Sequence, residues 1–267
     1  MHFASTLAWA YPVDQVVQLA KQSGLSGLEI WAEHVWFHGT DPNKIREANR
    51  DQSINLTMHA ASWDLNISSL EKEIREGSVK QIRNSIKLAD EIGADSITFH
   101  PGRLTLPQIK LEIYEAFMME SIFTLIETAK RYKKTLSIEL MEVKTKEFVT
   151  APEIMNRLIA SFLPELKTTF DVAHISEGTP QQAFAQLINV DKVHISDNSR
   201  AQLHVPLGMG ILDRNMLNEF ISINDLPVVV EGFDASESLN WWNHNLHYLK
   251  SLEMMKGYRN ESARNKR

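Results

Sequence analysis

Two hydrophobic patterns alternate along the chain. Short runs of Ile, Val, Leu, Thr and Phe end in a polar residue. A loop follows, then a longer segment whose apolar positions fall three or four apart. The short runs are Phe3–Leu7, Gly27–Trp31, Asn55–His59, Ser96–His100, Leu136–Leu140, Thr168–Asp171, Lys192–Ile195 and Val228–Glu231. Several are apolar almost throughout, which suits strands buried on both faces of a parallel sheet. The segments between them carry helix punctuation. Asp41-Pro42 reads as an N-cap followed by Pro at the first helical position. Ser68-x-x-Glu71 and Thr150-x-x-Glu153 fit the capping box, and Thr179-Pro180-x-Gln182 combines both signals. Gly24 and Gly93 fall where helices should stop. Ile109, Ile113, Phe117, Ile122, Leu125 and Ala129 predict one buried helical stripe.

Strands alternating with helices argue for parallel pairing through crossovers. Eight units in 267 residues predict an α/β fold, a closed (β/α)8 barrel forming a single domain over residues 1–256. Residues 257–267 read as a polar, disordered tail. An open doubly wound sheet is the alternative, but no Gly-x-Gly-x-x-Gly follows the first run to mark a dinucleotide site.

Composition narrows the chemistry. With no cysteine, thiolate zinc sites, iron–sulfur clusters, disulfides and cysteine nucleophiles are excluded, so a metal must be held by His, Asp or Glu. The net charge of −6 disfavours a broad nucleic-acid surface. No apolar run approaches the ~18 residues of a membrane span. The opening residues lack a signal peptide's basic and apolar regions, so a cytoplasmic location is expected.

In a barrel of this kind the active site forms at the C-terminal ends of the strands. Six consecutive runs close on His59, His100, Glu139, Asp171, His194 and Glu231, separated by 41, 39, 32, 23 and 37 residues. All are ligand types for a hard or borderline divalent cation. Any one alone reads as a cap or a hydrogen-bonded strand end; six in series have no packing explanation. Three carboxylates at one mouth would repel, and a cation turns that repulsion into shared coordination. His174 and His204 are candidates for a further metal or for substrate, and Arg200 and Arg103 for clamping an anionic or hydroxyl-rich substrate.

Together these motifs resemble the xylose isomerase-like TIM-barrel superfamily over about residues 2–255: His59-Ala60-Ala61, His100-Pro101-Gly102, Glu139, Asp171-x-x-His174, His194-Ile195-Ser196-Asp197-Asn198, His204-Val205-Pro206-Leu207-Gly208-x-Gly210 and Glu231. The superfamily holds sugar isomerases and epimerases as well as endonuclease-IV-type AP endonucleases. In the isomerases and epimerases, the resemblance implies that Glu139, Asp171, His194 and Glu231 bind one divalent metal, often Mn²⁺, and the His and carboxylate ligands themselves admit Zn²⁺, Mn²⁺, Co²⁺ or Mg²⁺. It implies that His174 and Arg200 contact sugar oxygens. In the endonucleases, His59 and His100 would join Glu139 at a second zinc. His174 and His204 would hold a third, with an Asp two residues before His204. Gln202 stands there, and a neutral amide is a poor zinc ligand. Leu140 replaces the family Asn after Glu139.

The expected activity is isomerisation or epimerisation of a small sugar, sugar phosphate or polyol through an enediolate. Glu139 and Glu231 would serve as catalytic acid and base on opposite sides of the mouth. A zinc phosphodiesterase is the second reading, and a non-catalytic binding barrel the third. Trp9, Trp31, Trp36, Phe37 and Trp63 supply an aromatic rim, with Trp9 and Trp63 as candidate substrate contacts. No basic run accompanies them, so a small molecule is favoured over DNA. A homo-oligomer is compatible with the sequence and not specified by it.

Overall fold

The computed structural model describes residues 1–175, 178–223 and 225–264, with 253–264 described by backbone alone. The strands are β1 (His2–Ala4), β2 (Gly27–Trp31), β3 (Asn55–His59), β4 (Ser96–Phe99), β5 (Thr135–Glu139), β6 (Leu166–Asp171), β7 (Val190–Ile195) and β8 (Val228–Val230). Each pairs in parallel with the next, and β1 pairs with β8 to close the barrel. The intervening helices are α1 (Val13–Gln22), α2 (Ala32–His38), α3 (Pro42–Ala48), α4 (Lys72–Ile92), α5 (Leu111–Arg131), α6 (Pro152–Ala160), α7 (Pro180–Gln186), α8 (Arg214–Ile221) and α9 (Asn240–Arg264). The fold is the expected (β/α)8 barrel.

Strand alternation divides the barrel into two environments. Outward-facing Leu28, Ile30, Leu56, Met58, Ile97, Phe99, Ile138, Phe170, Val193 and Val230 join the main apolar core beneath the helices. Inside the barrel, a separate apolar cluster contains only Ala4, Trp31 and Val229. Bulky aliphatic layers usually fill this space. Here a hydrogen-bonded column takes their place. Lys192 Nζ donates to Thr98 Oγ1 at 2.9 Å, and Thr98 Oγ1 lies 2.9 Å from Thr169 Oγ1. Thr169 Oγ1 donates to Ser137 Oγ at 2.8 Å, and Ser137 Oγ to Asp191 Oδ1 at 2.7 Å.

Several local expectations change. The first strand ends at Ala4 rather than Leu7, and Ser5–Ala8 turn into a 3-10 helix. Side chains drive the turn: Ser5 Oγ accepts the Trp31 N–H at 3.1 Å, and Thr6 Oγ1 donates to Gly232 O at 2.6 Å. The Asp41-Pro42 start and the Thr179/Gln182 capping box form as expected. Ser68 does not cap α4. That helix begins at Lys72, and Ser68 packs so tightly on Gly102 that a Cβ there would sit 1.8 Å from its Oγ. Thr150 does not cap α6, which starts one residue later with Pro152 at its first position. The buried face of α5 runs through Tyr114, Met118, Ile122, Leu125 and Ala129; Ile113 is exposed, and Phe117 lies beneath the Arg75 guanidinium at 3.9 Å. The expected tail boundary at 257 falls within the α9 backbone, where side chains lie outside the described residues, as do residues 265–267 entirely.

Candidate metal centre and active site

Parallel closure brings strand ends that are far apart in sequence to one mouth. Glu139 ends β5, Asp171 ends β6, His194 lies one residue before the end of β7, and Glu231 follows β8 directly. One ligand atom from each lies within 4.8 Å of the others, and all four residues are buried. His194 Nδ1 is 3.3 Å from Glu139 Oε1 and 3.0 Å from Glu231 Oε2. Two more groups adjoin this one: His59, His100 and Glu139, and Asp171, His174 and His204. The His59 and His100 Nε2 atoms lie 3.5 and 3.1 Å from Glu139 Oε2. His174 Nε2 and His204 Nδ1 lie 3.7 and 3.8 Å from Asp171 Oδ2.

Ring orientation is set from outside. His59 Nδ1 meets Ala60 O at 2.8 Å and His174 Nδ1 meets Leu140 O at 2.8 Å. A carbonyl can only accept, so each ring carries its proton on Nδ1 and turns Nε2 toward the carboxylates. Trp31 stacks flat on His59, with centroids 4.0 Å apart and planes 11° apart. His204 is placed by the loop after β7. There Asp197 accepts from the backbone N–H groups of Asn198, Gly208, Gly210 and Leu212 at 2.8–3.1 Å. Ser196 Oγ meets His204 Nδ1 at 3.0 Å.

The electrostatics describe a site waiting for positive charge. Burial pushes the Asp171 carboxyl up, and the Glu231 and Glu139 charges add to that, against the pull of His174 and His204. Burial also opposes ionisation of Glu139 and Glu231, yet the neighbouring histidines overcome it. Glu139 is held well below the carboxylate range and Glu231 at about 2. The converse holds for the rings: burial lowers His174, but Asp171, Glu139 and Glu142 push it up to about 9, and Glu29, Glu139 and Glu231 raise His194. Without a cation, imidazolium protons carry the compensating charge. Among the described residues, Glu139 Oε2, Asp171 Oδ2, Glu231 Oε2 and His59 Nε2 are buried without a hydrogen-bond partner. Such atoms are costly to bury unpaired, and a divalent cation would satisfy them together. The donor set of nitrogen and oxygen fits Mn²⁺, Zn²⁺, Co²⁺ or Mg²⁺.

Other anticipated residues fall around this centre. Trp9 is buried, stacked on His34 at 4.5 Å, and 5.2 Å from both Trp63 and Phe233. Trp63, Trp36 and Phe37 are exposed. Arg200 is exposed on the loop after β7. Arg103 is tied to the loop after β3, its side chain donating to Leu65 O at 3.4 Å. Glu29 and Glu142 lie outside the sequence motifs, and Asp197 stands inside one of them without a role of its own there. Glu142 Oε2 lies 3.7 Å from His174 Nε2 and pairs with Lys144. Glu29 is buried within β2 against Lys192 and His194. A charged residue between Leu28 and Ile30 in an apolar strand is a signal that attention to strand ends alone overlooks.

The family model for the xylose isomerase-like TIM barrel matches residues 17–256. The chain belongs to that family. It is 27% identical over 209 residues to the uncharacterized protein MJ1188 of Methanocaldococcus jannaschii, covering 77% of each chain. It is 22% identical over 266 residues to the 3-dehydroshikimate dehydratase of Bacillus anthracis, covering 90% of this chain and 89% of that one. Among solved structures, a D-tagatose 3-epimerase-like protein superposes with a TM-score of 0.77 at 19% identity, covering 100% and 99% of the two chains. The 3-keto-D-glucoside 4-epimerase from E. coli superposes at 0.73 with 21% identity, covering 91% and 94%. At these identities the superpositions establish the fold. Among the described residues no helix is long and apolar enough to cross a membrane.

Proposed function

We propose that the protein is a divalent-metal-dependent isomerase or epimerase acting on a small sugar or polyol-derived carbonyl compound. The observation that carries this reading is the meeting of Glu139 and Glu231, from β5 and β8, at the single His194 Nδ1, 3.3 and 3.0 Å away. Two carboxylates entering from different walls of the mouth can remove a proton from one face of a carbon beside a carbonyl and return one to the other face. Glu139, Asp171, His194 and Glu231 would hold the cation, which when bound supplies electrophilic stabilisation of charge developing on substrate oxygens. His174, oriented by Leu140 O, would hydrogen-bond a substrate hydroxyl. Arg200 is a second polar contact from the loop after β7. Trp63, 6.3 Å from the Trp31 ring that stacks on His59, would supply an apolar face. The epimerase neighbours support this reading by fold.

A metal-dependent hydrolase is the second reading, because two further ligand groups border the first. Gln202 in place of an acidic residue counts against a filled third site. The test is to load the protein with Mn²⁺ and incubate it with a panel of ketoses and aldoses in deuterium oxide. Incorporation of deuterium beside the carbonyl, with a new epimer or isomer, is expected. Failure across the panel together with cleavage of abasic-site DNA by the zinc-loaded protein would reverse the ranking.

A further inference from the structure

His194 differs from the other buried rings of the mouth. His59 and His174 place Nδ1 on a carbonyl and turn Nε2 inward. His194 is inverted. Its Nδ1 faces the carboxylates of Glu139 and Glu231, and its Nε2 points down the barrel to Glu29 Oε1 at 2.8 Å. That last contact is an ion pair by distance, and among the described residues both of its atoms are buried with no hydrogen-bond partner. The remaining oxygen of Glu29 is occupied: Thr57 Oγ1 donates to Oε2 at 3.2 Å, and Lys192 Nζ forms a close ion pair with it. Lys192 sits two residues before His194 on β7, so the strand's alternation carries both side chains into the barrel. Glu29 and Lys192 are fully buried.

We infer that Glu29, neutralised by Lys192, is a positioning residue of the metal centre, keeping the His194 proton on Nε2 so that the Nδ1 lone pair faces the cation. The inference rests on the proposed metal-dependent reading. Its logic is chemical. A neutral imidazole offers one lone pair, and the atom that keeps the proton is decided by whichever neighbour accepts it. A carboxylate behind a ligating ring also makes that ring a better donor. An unpaired carboxylate at this depth would be costly and would add a fourth negative charge to the three at the mouth. Lys192 removes that surplus, so Glu29 directs the ring with almost no net charge.

The pair permits a clean test. The double variant Glu29→Gln with Lys192→Met removes one charge of each sign, so the core keeps its net charge and cation attraction at long range is nearly unchanged. The dissociation constant for Mn²⁺ should weaken about 10- to 100-fold. In the Zn²⁺-loaded protein, the ¹⁵N signals of His194 should show a protonated Nε2 and a metal-bound Nδ1 in wild type, and loss of that single pattern in the variant. A folded double variant that binds Mn²⁺ within twofold of wild type, or a wild-type His194 bound through Nε2, overturns the inference. If the double variant does not fold, Glu29→Asp retains the charge but withdraws the acceptor by one methylene. It should show the same direction of change in Mn²⁺ affinity, and an unchanged constant again overturns the inference. Wild-type protein that binds neither cation removes the metal reading itself, a result distinct from a variant that matches a metal-binding wild type.

Discussion

Trp31 lies parallel to His59 at 4.0 Å, making the indole a wall that holds the imidazole edge toward Glu139. Trp31 also belongs to the small apolar cluster inside the barrel with Ala4 and Val229. Trp31→Ala should therefore cost about 3–5 kcal/mol in stability, the range for deleting a buried aromatic, read as a lowered denaturant midpoint. Trp31→Phe, which keeps a stacking face, should recover most of it. Equal midpoints for Ala and wild type would show that the stack does not support the barrel.

Glu139 belongs to two of the three groups of ligands, so Glu139→Gln is the most damaging conservative change at the mouth. It should weaken metal binding and lower turnover by roughly 10²–10⁴, the scale of losing a positioned acid or base. Metal titration and steady-state assay check the two effects separately. Turnover at the wild-type level would remove Glu139 from the reaction.

Metal-free protein should lose stability as pH rises. His174 is pushed up to about 9 in the fold, above its ordinary 6.5. The folded state binds that proton more tightly, so its stabilising contribution is fully present below about 6.5 and is lost as pH climbs through about 9. Glu231 works in the other direction: held at about 2, below its ordinary 4.5, it contributes above 4.5 and loses that contribution as pH falls toward 2. Cation binding should release protons from the rings and grow tighter with pH. Denaturant midpoints of chelator-treated and Mn²⁺-loaded protein, with calorimetry in two buffers, test both signs. A metal-free midpoint that rises between about pH 6.5 and 9 would contradict the assignment.

Gly210 passes so close to Asp197 that an added Cβ would lie 2.2 Å from its Oδ1 and from Asn198 O. Gly210→Ala should displace the loop that carries His204 while leaving the strands paired. Any second cation held by Asp171, His174 and His204 should then be lost, with the quartet around Glu139 still binding one. Metal counts per chain in the variant and wild type decide it; identical counts of two or more would show that the loop does not set the site.

Trp63 is 46% exposed, so Trp63→Ala should shift stability by less than about 0.5 kcal/mol. As a substrate-facing wall it should raise KM more than it lowers kcat. A drop confined to kcat would place its role elsewhere.

Much of this architecture was legible because parallel β/α units write themselves twice, once as apolar strands and once as the polar residue that ends them. His59, Glu139 and Asp171 end their strands as expected, while His100 and Glu231 lie one residue beyond theirs. The less legible parts depended on long-range contacts. Ser5 and Thr6 are good strand residues locally, but hydrogen bonds to Trp31 and Gly232 turn the chain there. Ser68 is a good cap locally, but Gly102 needs it for packing. Glu29 and Lys192 stand 163 residues apart, and nothing in either strand alone announces that they neutralise each other.

The hydrogen-bonded column inside the barrel has a mechanical consequence. An apolar filling holds strand register by shape alone. Lys192, Thr98, Thr169, Ser137 and Asp191 act instead as keys in a lock, joining β4, β5, β6 and β7 tooth to tooth across the lumen. Slippage of any one strand would break several bonds at once, and the mouth inherits that rigidity. Loops around the rim can therefore be exchanged to change what the barrel accepts, whereas a transplanted strand must bring its matching teeth.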